Sequence, residues 1–281
     1  MSDWKQPLRL VEMLDKNGAI DDKGVKKLTE AVQEAADLAG NLKCEEFLAF
    51  ATSAVRSATN SDDVLDHVEK KTGVRLRVLS GEDEARLTFL AARRWYGWSA
   101  GRITNLDIGG GSLEMSTGTD EVPDVAVSLD LGAGRLTHEW FETDPPEKKM
   151  VNTLRDYIDA ELSAVADDFL DQGEAGLAVG TSKTFRTLAR LTGSAPSSAG
   201  PYVKRTLTAP GLRQLIAFIT RMTASDRAEL EGVSSDRSHQ IVAGALVAEA
   251  TMRALNLDKL EICPWALREG VILRQIDKGQ N

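Results

Sequence analysis

Cysteine is scarce. The chain holds two, Cys44 and Cys263, which lie far apart and form no CxxC pair. That excludes a disulfide framework and gives no zinc-site spacing. Long apolar runs are also missing, and nothing approaches the roughly 18 residues of a membrane span. The opening MSDWKQPLRLVEML lacks the extended apolar stretch of a secretion signal. Positive charge is short: 34 Lys plus Arg stand against 43 Asp plus Glu, for a net charge of −9. Such a chain is a poor general binder of nucleic acid or membrane, and it can hold a polyanion only in a local basic channel. His67, His138 and His239 show no ligand spacing, and no nucleic-acid-reading module is visible. What is present, 42% hydrophobic and 27% charged residues over 281 positions, fits a soluble globular chain of one large or two ordinary domains. The expected location is cytoplasmic.

Strand and helix patterns alternate. Leu28, Val32, Ala35 and Ala36 fall at helical spacing over 25–40, with Gly40 as the stop. EFLAFAT (46–52) and VRLRVLS (74–80) read as strands, with a helix over 61–72 between them. A helix over 82–96 places Leu87, Leu90, Ala91 and Trp95 on one face. RITNLDI (102–108), a glycine turn and LEMST (113–117) read as a hairpin, with VAVSLDL (125–131) a third strand beside it. Helices are expected near 134–142, 147–171, 182–192, 209–222, 236–255 and 266–277, interrupted by strands GLAVGT (176–181) and KLEIC (259–263). DPPE (144–147) and SAPSSAGP (194–201) read as loops. The alternation argues for an α/β fold with a mixed sheet, and GWSAG (97–101) is a plausible domain boundary. The pairs Arg93-Arg94, Lys148-Lys149 and Lys204-Arg205 read as solvated surface. Trp95, Tyr96 and Trp98 read as packing at a domain junction.

Four segments could carry chemistry. Asp107-Ile108-Gly109-Gly110-Gly111-Ser112-Leu113-Glu114 is the strongest. Its glycines permit φ > 0 and clear side chains from a ligand's path. Successive backbone N–H groups can then converge on an anion, with the Ser112 hydroxyl as a further donor. Asp107 and Glu114 flank the turn, as carboxylates suited to Mg²⁺; the alternative is a plain glycine hairpin. Gly180-Thr181-Ser182-Lys183 follows an apolar strand and opens a helix, which is either an anion site or ordinary N-capping. In Ser80-Gly81-Glu82-Asp83-Glu84-Ala85-Arg86 the acids suit a first helical turn, and taken alone the segment reads as capping. Arg56, at the end of Ala51-Thr52-Ser53-Ala54-Val55-Arg56, has the fork geometry for phosphate.

Together ATSAVR (51–56), SGEDEARL (80–87), LDIGGGSLE (106–114), VGTSKT (179–184) and ALREGV (266–271) resemble the exopolyphosphatase / guanosine pentaphosphate phosphohydrolase family. That family belongs to the actin–sugar kinase–Hsp70 superfamily, and the wording is closest to its short actinobacterial-type enzymes. The resemblance implies two ribonuclease-H-like domains around a cleft, here 1–98 and 99–281, with the last helix (about 266–281) packing back on the first. It implies a hydrolase that removes the terminal phosphate of inorganic polyphosphate, or the γ-phosphate of guanosine pentaphosphate. By motif, Glu84 matches the catalytic base. Arg56, Gly109, Gly110, Gly111, Ser112, Gly180, Thr181, Ser182 and Lys183 match phosphate-binding positions. Asp107 and Glu114 match acids associated with the metal, Mg²⁺ or Mn²⁺. A homodimer is expected by analogy with relatives.

The sequence departs from the pattern in one respect. The family carries two phosphate loops, one per domain, and before residue 46 there is no apolar strand followed by Asp-x-Gly-Ser. The expectation is a first domain that lacks its opening strand pair, with exposed sheet edges. A non-catalytic polyphosphate or nucleotide binder is therefore an alternative to the hydrolase. A kinase or ATPase of the same superfamily is a second alternative, and SGEDEARL argues against it.

Overall fold

A computed structural model describes residues 4–279. The chain divides into two units, Met1–Ser80 and Gly81–Asn281.

The first unit begins with a 3-10 turn (Leu10–Met13). Helix α1 (Asp22–Asn41) follows, with the Asp21 carboxylate accepting from the Gly24 N–H at 2.7 Å. This N-cap satisfies one of the free donors of the first turn. Strand β1 (Phe50–Ala51), the short helix α2 (Ser53–Arg56), helix α3 (Ser61–Thr72) and strand β2 (Arg77–Val78) complete the unit. Its core joins Leu10, Ile20, Leu28, Val32, Val55, Val64 and Val68. The two expected strands are present but short. β1 and β2 pair in parallel over Phe50↔Arg77 and Ala51↔Val78 only. Their sheet has two strands, so the flanking residues find no ladder partner. Phe47, read as buried, is 42% exposed for that reason.

The second unit is built on a six-stranded mixed sheet in the order β5-β4-β3-β6-β8-β7. Strands β3 (Ile103–Ile108), β4 (Leu113–Gly118) and β5 (Val125–Leu129) form the expected antiparallel meander. Strands β6 (Leu177–Gly180) and β8 (Lys259–Ile262) add in parallel, and β7 (Thr206–Thr208), which the sequence reading missed, adds antiparallel at the edge. With the edge strand β7 set aside, the other five, numbered in chain order, run 3-2-1-4-5 across the sheet, which is the ribonuclease-H-like arrangement.

One face of the sheet carries helices α5 (Ala133–Trp140), α6 (Lys148–Ser163), α7 (Ala166–Leu170), α8 (Lys183–Leu191), α9 (Ala209–Ile219), α10 (Ala224–Ala228) and α11 (Ile241–Ala254). Leu106, Ile108, Leu113, Met115, Phe185, Leu188, Val242 and Leu246 lie in the core there. α11 is buried over Ile241–Met252, as a helix apolar on all sides should be. The opposite face is covered by α4 (Gly81–Tyr96), which packs on β3, β4 and β5 and is backed by α12 (Leu267–Gly279). α4 therefore groups with the second unit, so the chain divides sixteen residues before the GWSAG segment at 97. A Cβ on Gly270 would lie 1.9 Å from the Leu87 carbonyl oxygen. A hydrogen at that position is what lets α12 approach α4.

The arginines overturn the surface reading. Arg93 is fully buried and donates to the carbonyls of Gly97, Gly101 and Gly118 at 2.8–3.1 Å. Arg205 is 9% exposed and donates to the carbonyls of Ala195, Pro196, Gly200 and Val203, which shapes the 195–203 loop. In both, a guanidinium closes a loop whose carbonyls have no strand or helix to satisfy them. Trp95 packs on Trp265 and Tyr202 within the second unit, and Trp98 is 57% exposed. Trp95 is thus tied into the packing of the second unit itself.

Candidate active site

The glycine turn closes the β3–β4 hairpin at the carboxyl end of β3. The Gly109 N–H donates to the Ser112 carbonyl at 2.9 Å. The N-terminal turn of α5 takes up the other carbonyls: Ala133 N–H reaches Gly109 O at 3.0 Å, Arg135 N–H reaches Gly110 O at 2.9 Å, and Arg135 Nε reaches Gly111 O at 3.0 Å. Among the described residues, no backbone carbonyl accepts from the N–H groups of Gly110, Gly111 or Ser112. Three consecutive donors with their carbonyls tied back form an anion-binding concavity.

The expected φ > 0 is not the reason for the glycines. None of Gly109, Gly110 and Gly111 adopts the left-handed backbone. Close approach is instead required of Gly132 in the buttressing segment, where a Cβ would lie 2.2 Å from the Gly111 carbonyl carbon. Gly110 has open space around its missing side chain, so a ligand can reach the backbone.

Acidic groups gather beside this turn. Asp107 and Glu114 are register partners on adjacent strands. The Thr181 hydroxyl donates to Asp107 Oδ2 at 2.6 Å, and the Ser128 hydroxyl donates to Glu114 Oε1 at 2.9 Å. Burial pushes the Asp107 carboxyl above the usual range, against the pull of the Thr181 hydroxyl and the charges of Arg186 and Arg237. Burial, with the charge of Asp107 second, pushes Glu114 up to about 8; the Ser112 and Ser128 hydroxyls oppose this and Glu84 adds to it. Glu84 is 6% exposed in the first turn of α4, close enough for its charge to raise Glu114. The acids of SGEDE thus divide: Glu82 pairs with Arg86 along the helix surface, while Glu84 turns inward.

The second loop also divides. Ser182 is the N-cap of α8 and accepts from the Phe185 N–H at 3.2 Å, so capping is its structural role. Thr181 instead serves Asp107. A Cβ on Gly180 would meet the Phe185 ring at 2.7 Å. Lys183 is exposed, and its Nζ donates to Ser234 Oγ at 3.1 Å. Asp236 lies beside it, held below the usual range by the Ser234 hydroxyl first and by Lys183 as well. In the first unit, Arg56 donates to the Leu79 carbonyl at 2.8 Å.

Two residues were invisible to sequence reasoning. Arg186 in α8 and Arg237, just before α11, both place charge near Asp107. No motif marks either. Arg237 stands in SSDRSH, which reads as a polar loop, and only the closing of the sheet brings it to β3.

Comparison with known proteins bears on the family and the fold. A match to the Ppx/GppA phosphatase family covers residues 1–279. The chain belongs to that family. It is 65% identical over 277 residues to Exopolyphosphatase 1 of Mycobacterium tuberculosis, a match that covers 99% of this chain and 80% of that protein. It is 64% identical to Exopolyphosphatase 1 of Mycobacterium leprae, covering 99% and 82%. Among solved structures, the Aquifex aeolicus Ppx/GppA family member aligns with a TM-score of 0.77 at 25% identity, over 97% of this chain and 87% of that one. An exopolyphosphatase from Cytophaga hutchinsonii aligns at 0.84 and 21% identity, over 94% and 87%, and shares the fold. No helix among the described residues is long and apolar enough to cross a membrane.

Proposed function

We infer that this protein is an exopolyphosphatase, a hydrolase that removes the terminal phosphate of inorganic polyphosphate. The observation that carries the reading is the turn itself: three unclaimed N–H groups at Gly110, Gly111 and Ser112, beside the carboxylates of Asp107, Glu114 and Glu84. The amides bind phosphoryl oxygens, and their fixed dipoles face charge that grows as the anhydride breaks. Glu84 is the base in this reading. It takes a proton from the attacking water, which adds to phosphorus as the bond to the bridging oxygen breaks; the shortened chain leaves on that oxygen. Lys183 and Arg237 supply positive charge to a substrate that the acids would otherwise repel.

Asp107 and Glu114 are the residues that would hold a divalent cation, Mg²⁺ or Mn²⁺. The pair fits such an ion: two acids are register partners across the hairpin, and the charge of Asp107 raises the cost of ionising Glu114. Among the described residues no group of three or more His, Cys, Asp or Glu side chains is arranged to hold a metal ion. Water or phosphoryl oxygens would supply the remaining ligands. When bound, the ion supplies charge neutralisation at the phosphoryl oxygens.

The test is a phosphate-release assay with polyphosphate, guanosine pentaphosphate and ATP, each with Mg²⁺ and with chelator. Release from polyphosphate in Mg²⁺ above the other two is expected. Preference for pentaphosphate would reassign the substrate, and binding without release would make the protein a sensor.

A further inference from the structure

The glycine turn accounts for one phosphoryl group. A polyanion of three or more phosphates needs cations beyond it, and beside Arg237 the structure places Arg186, which nothing so far has used.

Arg186 lies in the second turn of α8, the helix that starts where β6 ends. Ser182 caps this helix, and the Thr184 hydroxyl donates to the Ile108 carbonyl at 2.9 Å, so α8 is fixed against the end of β3. Its three basic residues differ in their partners. Arg190 donates to the Ser194 carbonyl and pairs with Glu231. Lys183 reaches Ser234. The Arg186 guanidinium has no hydrogen bond and no ion pair among the described residues. Its charge is felt by Asp107 at the end of β3, by Cys263 at the end of β8 and by Arg237. It therefore sits over the carboxyl ends of the parallel strands, where open α/β sheets bind ligands.

Arg237 shows the same condition. It is half-buried, its guanidinium has no ion pair or hydrogen bond among the described residues, and burial lowers its affinity for a proton while Arg186 lowers it further. Asp236 and Asp107 are the nearby acids, and Thr181 already occupies one oxygen of Asp107. Two guanidiniums that repel each other are a poor way to stabilise a fold. They are a good way to hold an anion with several oxygens, because the fork of each matches phosphoryl geometry.

We propose that Arg186 is a specificity-determining residue of this site: with Arg237 it grips a phosphoryl group adjoining the one at the glycine turn, so that chains of three or more phosphates are favoured over single phosphate. The proposal rests on the hydrolase reading above for its substrate, but its test does not need turnover.

The measurement is equilibrium binding of tripolyphosphate and of orthophosphate in chelator, by calorimetry, for the wild type, Arg186→Gln and Arg186→Lys. Arg186→Gln should weaken tripolyphosphate binding at least tenfold and orthophosphate binding less than twofold. Its melting temperature should change little, since the relieved repulsion with Arg237 offsets the lost attraction to Asp107. Arg186→Lys should recover part of the affinity. In kinetics, KM for polyphosphate should rise more than kcat falls. Tripolyphosphate binding by Arg186→Gln within twofold of wild type would overturn the proposal, and so would a wild type that binds both anions equally. A wild type that binds tripolyphosphate through Arg186 and releases no phosphate would sink the hydrolase reading and leave the clamp standing.

Discussion

The Thr181 hydroxyl donates to the Asp107 carboxylate at 2.6 Å, and this contact joins the two loops that face the candidate site. It fixes the end of β3 to the end of β6 at the point where the chain leaves the sheet on both sides. Thr181 is fully buried, so water cannot replace its hydroxyl without rearrangement.

Thr181→Val keeps the shape and removes that donor. Hydrogen bonds to charged groups contribute about 1.5–3 kcal/mol, so stability should fall by that order and phosphate release at neutral pH should fall about tenfold or more. Chemical denaturation and a phosphate-release assay read both. Unchanged values in each would mean that Asp107 does not depend on Thr181.

Gly132→Ala places a methyl 2.2 Å from the Gly111 backbone. Overpacking of this kind costs about 1–3 kcal/mol, and here the part that must move is the anion-binding turn. Activity should be lost more completely than stability. Gly40→Ala is the matched control: its Cβ meets nothing within 4 Å on an exposed helical surface. It should stabilise by up to about 1 kcal/mol and leave activity intact. Equal behaviour of the two variants would show that the turn tolerates displacement.

How much of this was legible beforehand depends on the range of the interaction. The hairpin at 102–117, the third strand and the helices at 61–72, 82–96 and 209–222 follow from local periodicity, and they are present. Asp107 and Glu114 could be paired in advance because a hairpin register is short-range. The partners of Arg93, Arg186 and Arg237 could not be, since each depends on which loops the closed sheet brings together. The strands at 46–52 and 74–80 were read at full length from composition, but ladder length depends on neighbours that composition does not show. That Gly109, Gly110 and Gly111 need no left-handed backbone, and that the close approach falls on Gly132 instead, depends on how α5 meets the turn.

Glu114 makes stability fall as pH rises. Its folded-state value is pushed up to about 8 from an ordinary 4.5. Between those values the folded protein keeps a proton that the unfolded chain has released. The stabilisation is complete below the unfolded value and is lost as pH climbs through the folded one. Denaturation midpoints from pH 5 to 9 in chelator should decline across this window, and Glu114→Gln should flatten the decline. A wild-type midpoint that rises between pH 6 and 8 would contradict the assignment.

Glu84→Gln removes the base and keeps the side-chain volume. Phosphate release from polyphosphate should fall about a hundredfold or more, with tripolyphosphate binding preserved or tightened because one negative charge is gone. Activity within tenfold of wild type, in a variant that melts normally, would move the base to another residue.

The account turns on whether the Gly110, Gly111 and Ser112 amides hold a phosphoryl group. The direct measurement is a titration of ¹⁵N-labelled protein with tripolyphosphate, following every resolved amide. The prediction is saturable downfield proton shifts at Gly110, Gly111 and Ser112, among the largest in the spectrum, with Gly173 and Gly200 unmoved. Saturation of binding while those three amides stay in place would contradict it.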